Sequence, residues 1–587
     1  MPVTRRKKWI LRASDENIAE TLTARLNIPS EIAILLVQRG IKDHETCQKF
    51  LNPSLIDLPS PYLLKNMQKG VDLFVEGLHN NAQFIIYGDY DADGITGTAV
   101  LLTFLQELGI QPTYCLPHRI HDGYGVHIHL LEKLLNGRQT TQDRILITVD
   151  CGITDHEAVH YAQKNGCKVI ITDHHQPTAD IPAADAVINP CLPGCAYPFK
   201  GLAGVGVAFH LIMGVRGRLI QENFWPHEKI PNLKSYLDMV AIGTIADMMP
   251  LVGPNRIMAK AGLEILRSEA RLGIKKLCET NNISPQQITF EDIAYKIAPC
   301  FNAAGRIDHP ENALNLLINS DRNVIADLSI KIIGLNKKRK TACEELFEKA
   351  YEMALEEIKK GKNHLLIVGN NWHIGLLGIV ATRLTKEFYR PALVLSRTES
   401  IYKGSGRSIP GIELYRCLEA CQDQLISYGG HQNAVGLSLK TDNLESFAQQ
   451  FDMAVNEYFS IDLLTEQLQI DLNFNAREFD GNMLLQYYQR LEPFGNGNPE
   501  PVYIFNTSNL QHPTIVGRNH LKFSLSQNNF SIKGIGFNFG HHIDSIKQKM
   551  KGRAAISFRR NTYNGKQSWQ AVIEDLQFDN TQQADLI

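Results

Sequence analysis

Residues 84–97 read FIIYGDYDADGITG. Phe84, Ile85, Ile86 and Tyr87 form an apolar run of the length of a buried parallel strand, and three acids follow at once: Asp89, Asp91 and Asp93. Gly88, Gly94 and Gly97 let the chain turn sharply, and from Ile95 the apolar residues return in helical register. In an open α/β sheet, ligands sit beyond the carboxyl ends of the strands, so acids placed there face the site. Carboxylates this close raise one another's pKa unless a cation neutralises them, and a hard divalent metal is the natural occupant.

Two later stretches repeat the arrangement. Residues 145–149, ILITV, end in Asp150, with Cys151 and Gly152 turning the chain, and residues 169–172, VIIT, run into Asp173, His174 and His175. A single aspartate at a strand end is equally well explained as a helix cap. Three strand ends that bring acids and imidazoles to one sheet edge point instead to a metal centre, because unpaired buried charge is costly.

Around these stretches, from 76 to 255, strands and helices alternate, with further strands at 113–116 and 184–188. That order is the pattern of a parallel sheet with helices on both faces. Residues 235–251, SYLDMVAIGTIADMMPL, make an almost all-round apolar helix, so Asp247 near its end is a buried acid in need of a partner. Residues 117–125, PHRIHDGYG, place His118, Arg119, His121 and Asp122 on a glycine-containing loop that could face the metal edge, and a solvated turn fits the same residues. Residues 201–209, GLAGVGVAF, open a helix, where small residues suit close packing better than a phosphate cradle.

Residues 1–75 read as a helical lead-in, with helical spacing at 18–26 and 31–39 and an exit marked by Pro53, Pro59 and Pro61. Beyond 255, residues 301–306, FNAAGR, read as a small polar loop carrying Arg306. A helical pattern over 322–362 would reach about 60 Å, long enough to join two lobes. A second α/β unit follows at 363–459, with strands at 364–368 and 391–395 around a helix at 378–388. Its expected loops hold Trp372, His373 and Gly375, then residues 403–408, then Gly429, Gly430 and His431. Glycines beside Arg and His expose backbone N–H groups and cations together, which suits phosphate. From 460 to 587 short strands with polar connections read as a small β-barrel of the OB type, with Arg518, Lys522, Phe523, Arg559 and Arg560 as candidate contacts to a single strand. The chain thus divides at 1–75, 76–255, 256–362, 363–459 and 460–587.

Composition narrows the field of partners. Sixty basic and 62 acidic residues leave a formal charge of -2, so a nucleic acid would have to be met by a local basic groove. Eleven scattered cysteines fit reduced thiols, and the pairs Cys191/Cys195 and Cys417/Cys421, though spaced like zinc ligands, lack partner pairs. No stretch reaches the ~18 apolar residues of a membrane span. The first 14 residues lack the apolar core of a signal peptide, so a cytoplasmic location without a membrane partner is expected.

The ordered motifs DYDADG, VDCGI, DHH, GTIADMMPL, NAAGR, SGRS and GGH closely resemble the DHH phosphoesterase superfamily, and within it the bacterial exonucleases specific for single-stranded DNA. The resemblance covers nearly the whole chain. It implies an α/β fold: a DHH-type parallel-sheet domain joined by a long helix to a DHH-associated domain, plus a C-terminal OB-fold barrel. It also implies Asp91, Asp93, Asp150, His174 and Asp247 as ligands of two divalent ions, Mg²⁺ or Mn²⁺, with Asp150 as the bridge. Asp89 and His175 would lie in or just beyond that shell, with His175 touching the scissile phosphate. Arg306, Arg407, Ser408, Gly430 and His431 would contact phosphate, with Arg119 in addition. The activity implied is 5′ to 3′ release of mononucleotides from single-stranded DNA in recombination and repair. Single-strand-binding protein and repair helicases are the implied partners of a monomer. Cys151 stands where many relatives have Asn, beside Asp150. A small-substrate phosphodiesterase would keep the acids and GGH with little use for a barrel, whereas a non-enzymatic scaffold would have lost acids that are all present here.

Overall fold

The computed structural model describes residues 7–135, 143–457, 461–474, 480–563 and 566–579, and the first six residues of the basic start lie outside them. Two compact units emerge, Met1–Asn52 with Ser460–Ile587, and Pro53–Phe459.

The larger unit is built on a five-stranded sheet in the order Thr113–Cys115, Gln83–Gly88, Arg144–Val149, Cys167–Thr172, Ala186–Ile188, parallel throughout. Alternation along the strands separates two cores. Phe84, Ile86, Ile145 and Ile147 join the side chains of the helices Met67–His79, Ala92–Glu107 and Gly204–Gln221. Ile85, Leu146, Val169 and Ile171 join those of Ile128–Leu135 and His156–Lys164 on the other face. The chain runs from Gln83–Gly88 outward to Thr113–Cys115, then crosses back to place Arg144–Val149 on the opposite side. The topological switch therefore lies between the two strands that end at Asp89 and Asp150, where such sheets bind ligands.

The apolar stretch after residue 235 forms the helix Leu237–Ala246, buried from Leu237 to Ile245. Residues 301–306, expected as a loop, are instead part of the helix Ala298–Ile307. Its alanines and glycine permit close packing: a Cβ on Gly305 would come within 2.4 Å of the Tyr90 carbonyl oxygen. The connector helix Arg322–Lys359 has 38 residues, about 57 Å at the usual rise. Beyond it, Leu365–Asn370 and Ala392–Thr398 pair in parallel, and Ile401–Arg407, Ala434–Lys440 and Leu425–His431 extend the sheet antiparallel. Residues 403–407 and 429–431, expected as loops, thus lie on strands. The glycines there serve close approach rather than turning, since Cβ atoms on Gly404 and Gly406 would meet Leu395 and Leu393 at 2.1 and 2.3 Å.

In the other unit a seven-stranded sheet shares one core with the helices Glu16–Leu26, Ser30–Gln38 and His44–Leu51. Lys8–Leu11, unforeseen in the sequence, pairs in parallel with Gln467–Ile470. Phe523 belongs to this core at 2% exposure, so it is not a surface contact. Arg559 pairs with Glu500 and Glu574, and Arg560 lies against Glu492 and Trp569, which leaves Arg518 and Lys522 exposed without such pairs among the described contacts. Arg39 joins the early helices to the C-terminal segment, donating to Asn498 Oδ1 at 2.7 Å and to the carbonyls of Leu35 and Pro499 at 2.8 Å. Arg39→Ala strands these acceptors and should lower stability by about 2–4 kcal/mol. Thermal melting of the full chain checks this, and an unchanged profile would mean that the bonds carry no net stability.

Candidate metal centre and phosphate cleft

Each acid at the switch is held by a different local device. Asp89 follows its strand directly and donates its N–H to Val149 O at 3.2 Å. Asp91 caps the helix Ala92–Glu107, its Oδ1 accepting from the amides of Asp93 and Gly94 at 2.9 and 3.1 Å. The cap and the metal readings therefore fall on the same residue. Asp93 accepts from the amides of Gly204 (2.6 Å) and Val205 (2.9 Å) at the start of the helix Gly204–Gln221. The anion cradled by GLAGVGV is thus a carboxylate of the centre itself. Asp150 is buried with φ +62°, a left-handed conformation uncommon outside glycine, and its N–H donates to Thr172 O at 2.9 Å. Asp247 follows Leu237–Ala246 as its C-cap.

These groups converge. His174 Nε2 lies 3.0 Å from Asp150 Oδ1, 3.5 Å from Asp247 Oδ2 and 3.9 Å from Asp93 Oδ2. Donor atoms of Asp93, His174 and Asp247 fall within 4.8 Å of one another, as do those of Asp89, Asp91 and Asp150, and those of Asp150, His174 and His175. All seven sequence-predicted residues of the centre are therefore brought together, Asp89 as closely as the five proposed ligands. Burial raises the Asp93 carboxyl to about 7 and Asp247 to about 9, with Asp91 and Asp93 respectively adding repulsion. Asp89 and Asp150 are pushed well up, first by burial and then by their acidic neighbours. Asp89 Oδ1 and Asp150 Oδ1 are buried without a hydrogen-bond partner. Orphaned carboxylate oxygens, with an imidazole whose pKa burial lowers to about 4, are a donor set that fits hard divalent cations.

Asp173 was read as a strand-end acid, but its part in holding the two histidines was missed. Its Oδ1 accepts from the amides of His174 and His175 at 2.7 and 3.0 Å and from His175 Nδ1 at 2.8 Å, while Oδ2 accepts from Ile153 N–H. Burial alone would raise its pKa, but these donors outweigh it and hold the carboxyl below its usual value. The same pairing raises His175 to about 9 against the opposing effect of burial. Asn302, also missed, accepts from the Ala92 amide at 2.9 Å and so steadies the turn that carries Asp91.

Across from the acids lie the cations. Arg306 is half-buried and donates to Gly375 O at 2.7 Å, joining the NAAGR helix to the second sheet's domain. Burial, then repulsion from Arg119, lowers the pKa values of Arg306 and Arg407. His431 is lowered by burial and by Arg407 and His175. Cations that depress one another in this way share a need for an anion. Arg119 lies over the Tyr90 ring at 4.8 Å. Ser408 is not part of this group, because its hydroxyl donates to Ile412 O at 2.6 Å and closes the turn. Ser405 Oγ accepts from Arg407 Nη1 at 3.2 Å and likewise donates to a carbonyl, that of Val435 at 3.3 Å. Two residues apart on a strand share a face, a signal that a loop assignment concealed. Gly430, at φ +130°, admits the neighbouring strand, since a Cβ would meet Ala434 O at 2.3 Å.

Family models match three segments: the DHH family N-terminal domain at residues 83–244, the DHHA1 domain at 361–457 and the RecJ OB domain at 470–575. The single-stranded-DNA-specific exonuclease RecJ of Bacillus subtilis is 33% identical over 584 residues, covering 99% of this chain and 72% of its own length. The chain belongs to the RecJ family. The crystal structure of RecJ from Thermus thermophilus in complex with Mn²⁺ is similar at a TM-score of 0.81 and 26% identity, over 97% of this chain and 80% of that one. Its Mg²⁺ complex is similar at 0.73 and 25%, over 97% and 78%. With DHH and DHHA1 domains around an acid and histidine centre, this RecJ-family chain is a metal-dependent nuclease. The α/β fold with DHH, DHHA1 and OB domains agrees with the sequence reading. No helix of the described residues is long and apolar enough to cross a membrane.

The raised carboxyls set a pH dependence. A carboxyl whose folded pKa is raised contributes stability that is present below its unfolded value and is lost as pH rises through the folded one. With Asp93 at about 7 and Asp247 at about 9, protein in EDTA should lose melting temperature steadily between about pH 4 and 9. Mn²⁺ should flatten that slope, and scanning calorimetry at several pH values with and without the ion measures it.

Proposed function

We propose that this protein degrades single-stranded DNA from its 5′ end, releasing 5′ mononucleotides by two-metal hydrolysis, in recombination and repair in the cytoplasm. The observation that carries the reading is the meeting of two opposed groups, an acid and imidazole centre at the sheet switch and the Arg306, Arg407, His431 set on facing elements of the same unit. Asp91, Asp93, Asp150, His174 and Asp247 would hold the two ions, Mg²⁺ or Mn²⁺, with Asp89 beside them. Ions so bound supply charge neutralisation and a water acidic enough to attack a phosphodiester at neutral pH.

The protein's own groups do the rest. The Gly204 and Val205 amides keep Asp93 in place, and Asn302 and the Asp91 cap hold the acidic turn against the repulsion of its carboxylates. His175, held through Nδ1 by Asp173, offers Nε2 to a non-bridging oxygen of the scissile phosphate. Arg306, Arg407 and His431 bind the remaining oxygens and orient the phosphate, with Arg119 at their margin. Arg518 and Lys522 remain available in the OB domain for the strand's backbone. Single-strand-binding protein and repair helicases are the partners this activity calls for, and the enzyme works as a monomer. The single-strand preference rests on the activity named for the relatives.

Digestion of 5′-labelled and 3′-labelled single strands beside a blunt duplex tests the reading. Metal-dependent release of labelled mononucleotide from the 5′ end is expected, with the duplex spared, EDTA abolishing cleavage and Asp150→Ala lowering it by at least about 10³-fold, an order-of-magnitude figure for loss of a metal ligand. Intact long strands with hydrolysed dinucleotides or pyrophosphate would assign the centre to small substrates, and binding without cleavage would assign it to a scaffold.

A further inference from the structure

The loop PHRIHDGYG takes no direct part in the chemistry above beyond Arg119, yet several hydrogen bonds and two positive-φ glycines pin it. Gly123 and Gly125 adopt φ of +91° and +101°, and a Cβ on Gly125 would lie 2.8 Å from Asp155 Oδ1. Asp155 Oδ2 accepts from the Val126 amide at 2.8 Å, Tyr87 Oη donates to Gly125 O at 3.2 Å, and Asp122 Oδ2 accepts from the His118 amide at 2.6 Å. The residue held between the two glycines is Tyr124. Its ring packs on His175 with centroids 5.2 Å apart, and its hydroxyl lies 3.0 Å from His175 Nδ1 while donating to Asp150 O at 3.3 Å.

We propose that Tyr124 is a positioning residue for the hydrolytic reaction, its hydroxyl locking the His175 ring to the main chain of Asp150 so that Nε2 is the nitrogen presented to the substrate phosphate. The hydrogen-bond inventory supports this assignment. The Asp150 carbonyl can only accept, so the tyrosine proton goes to it, and toward His175 the phenolic oxygen is an acceptor. Asp173 Oδ1, 2.8 Å from the same Nδ1, is an acceptor as well. Two acceptors converging on Nδ1 require a proton there, which removes that nitrogen as a metal ligand and leaves Nε2 facing out. The bond to Asp150 O also braces the one residue of the centre with a left-handed backbone. Tyr124 thereby couples the geometry of a ligand-bearing turn to that of the phosphate-facing histidine.

The role given to His175 rests on the function proposed above, so the test has a part that needs no catalysis. Wild type, Tyr124→Phe, His175→Ala and the double variant are compared in the full chain, with melting temperatures confirming that all are folded. In Mn²⁺, Tyr124→Phe should lower kcat on oligothymidylate about fivefold, the net worth of one hydrogen bond, with KM nearly unchanged. The loss should vanish when His175 is already alanine, because Tyr124 acts through that ring. In EDTA, ¹⁵N-histidine spectra should show a slowly exchanging Nδ1–H that is absent from His175→Ala and broadened by exchange in Tyr124→Phe. The same fivefold loss in the His175→Ala background, wild-type kinetics in Tyr124→Phe, or an unaltered Nδ1–H signal in that variant would each overturn the proposal. A wild-type enzyme that leaves single strands intact would instead overturn the nuclease reading, while the Nδ1–H signal would still decide the positioning.

Discussion

The structure depends on mutual repulsion among five carboxylates gathered at one sheet edge, Asp89, Asp93 and Asp150 buried and Asp91 and Asp247 half-buried. At the effective dielectric of a protein site, unit charges about 4 Å apart interact by about 4 kcal/mol, so the cluster cannot persist by packing alone. Three of the acids are accordingly tethered by something other than one another: a helix cap for Asp91, the amides opening a second helix for Asp93, a left-handed turn for Asp150. The residual repulsion is what divalent ions relieve, and it makes the centre a strong cation site rather than a stable feature in its own right.

The second sheet's domain answers with the opposite charge. Arg306, half-buried on the preceding helix, reaches Gly375 O, and Arg407 and His431 stand at one register on the two strands that flank Ala434. Residues paired across antiparallel strands share a face, so these two side chains are delivered together without any loop having to place them. Rigid elements position a ligand more accurately than loops can, and the glycines at 404 and 406, on the opposite face from Ser405 and Arg407, leave room there for the Leu395 and Leu393 side chains.

Much of the centre was legible because acids at the ends of apolar runs carry their meaning locally: Asp89, Asp150 and His174 are adjacent to the strands that present them. The cationic side was only half legible. Arg407 and His431 stood out beside glycines, but reading those glycines as turns hid the period-two face that Ser405 and Arg407 share. Phe523 looked like a stacking residue and is core, since aromatic residues on a half-buried strand read alike from either side. Asp173 was hidden by its own motif, where the histidine beside it is the more evident ligand.

The sequence by itself determined the parallel α/β domain, the apolar helix ahead of Asp247, the long connector and the acid and histidine set, because hydrophobic period and strand-end charge are local properties of the chain. Only the tertiary structure decided that Met1–Asn52 folds with Ser460–Ile587, that Asn302 steadies the Asp91 turn from 210 residues away, and that Tyr124 meets both His175 and Asp150. Those contacts join residues far apart in the chain, and nothing in local propensity encodes which distant amide, carboxylate or ring will be the partner.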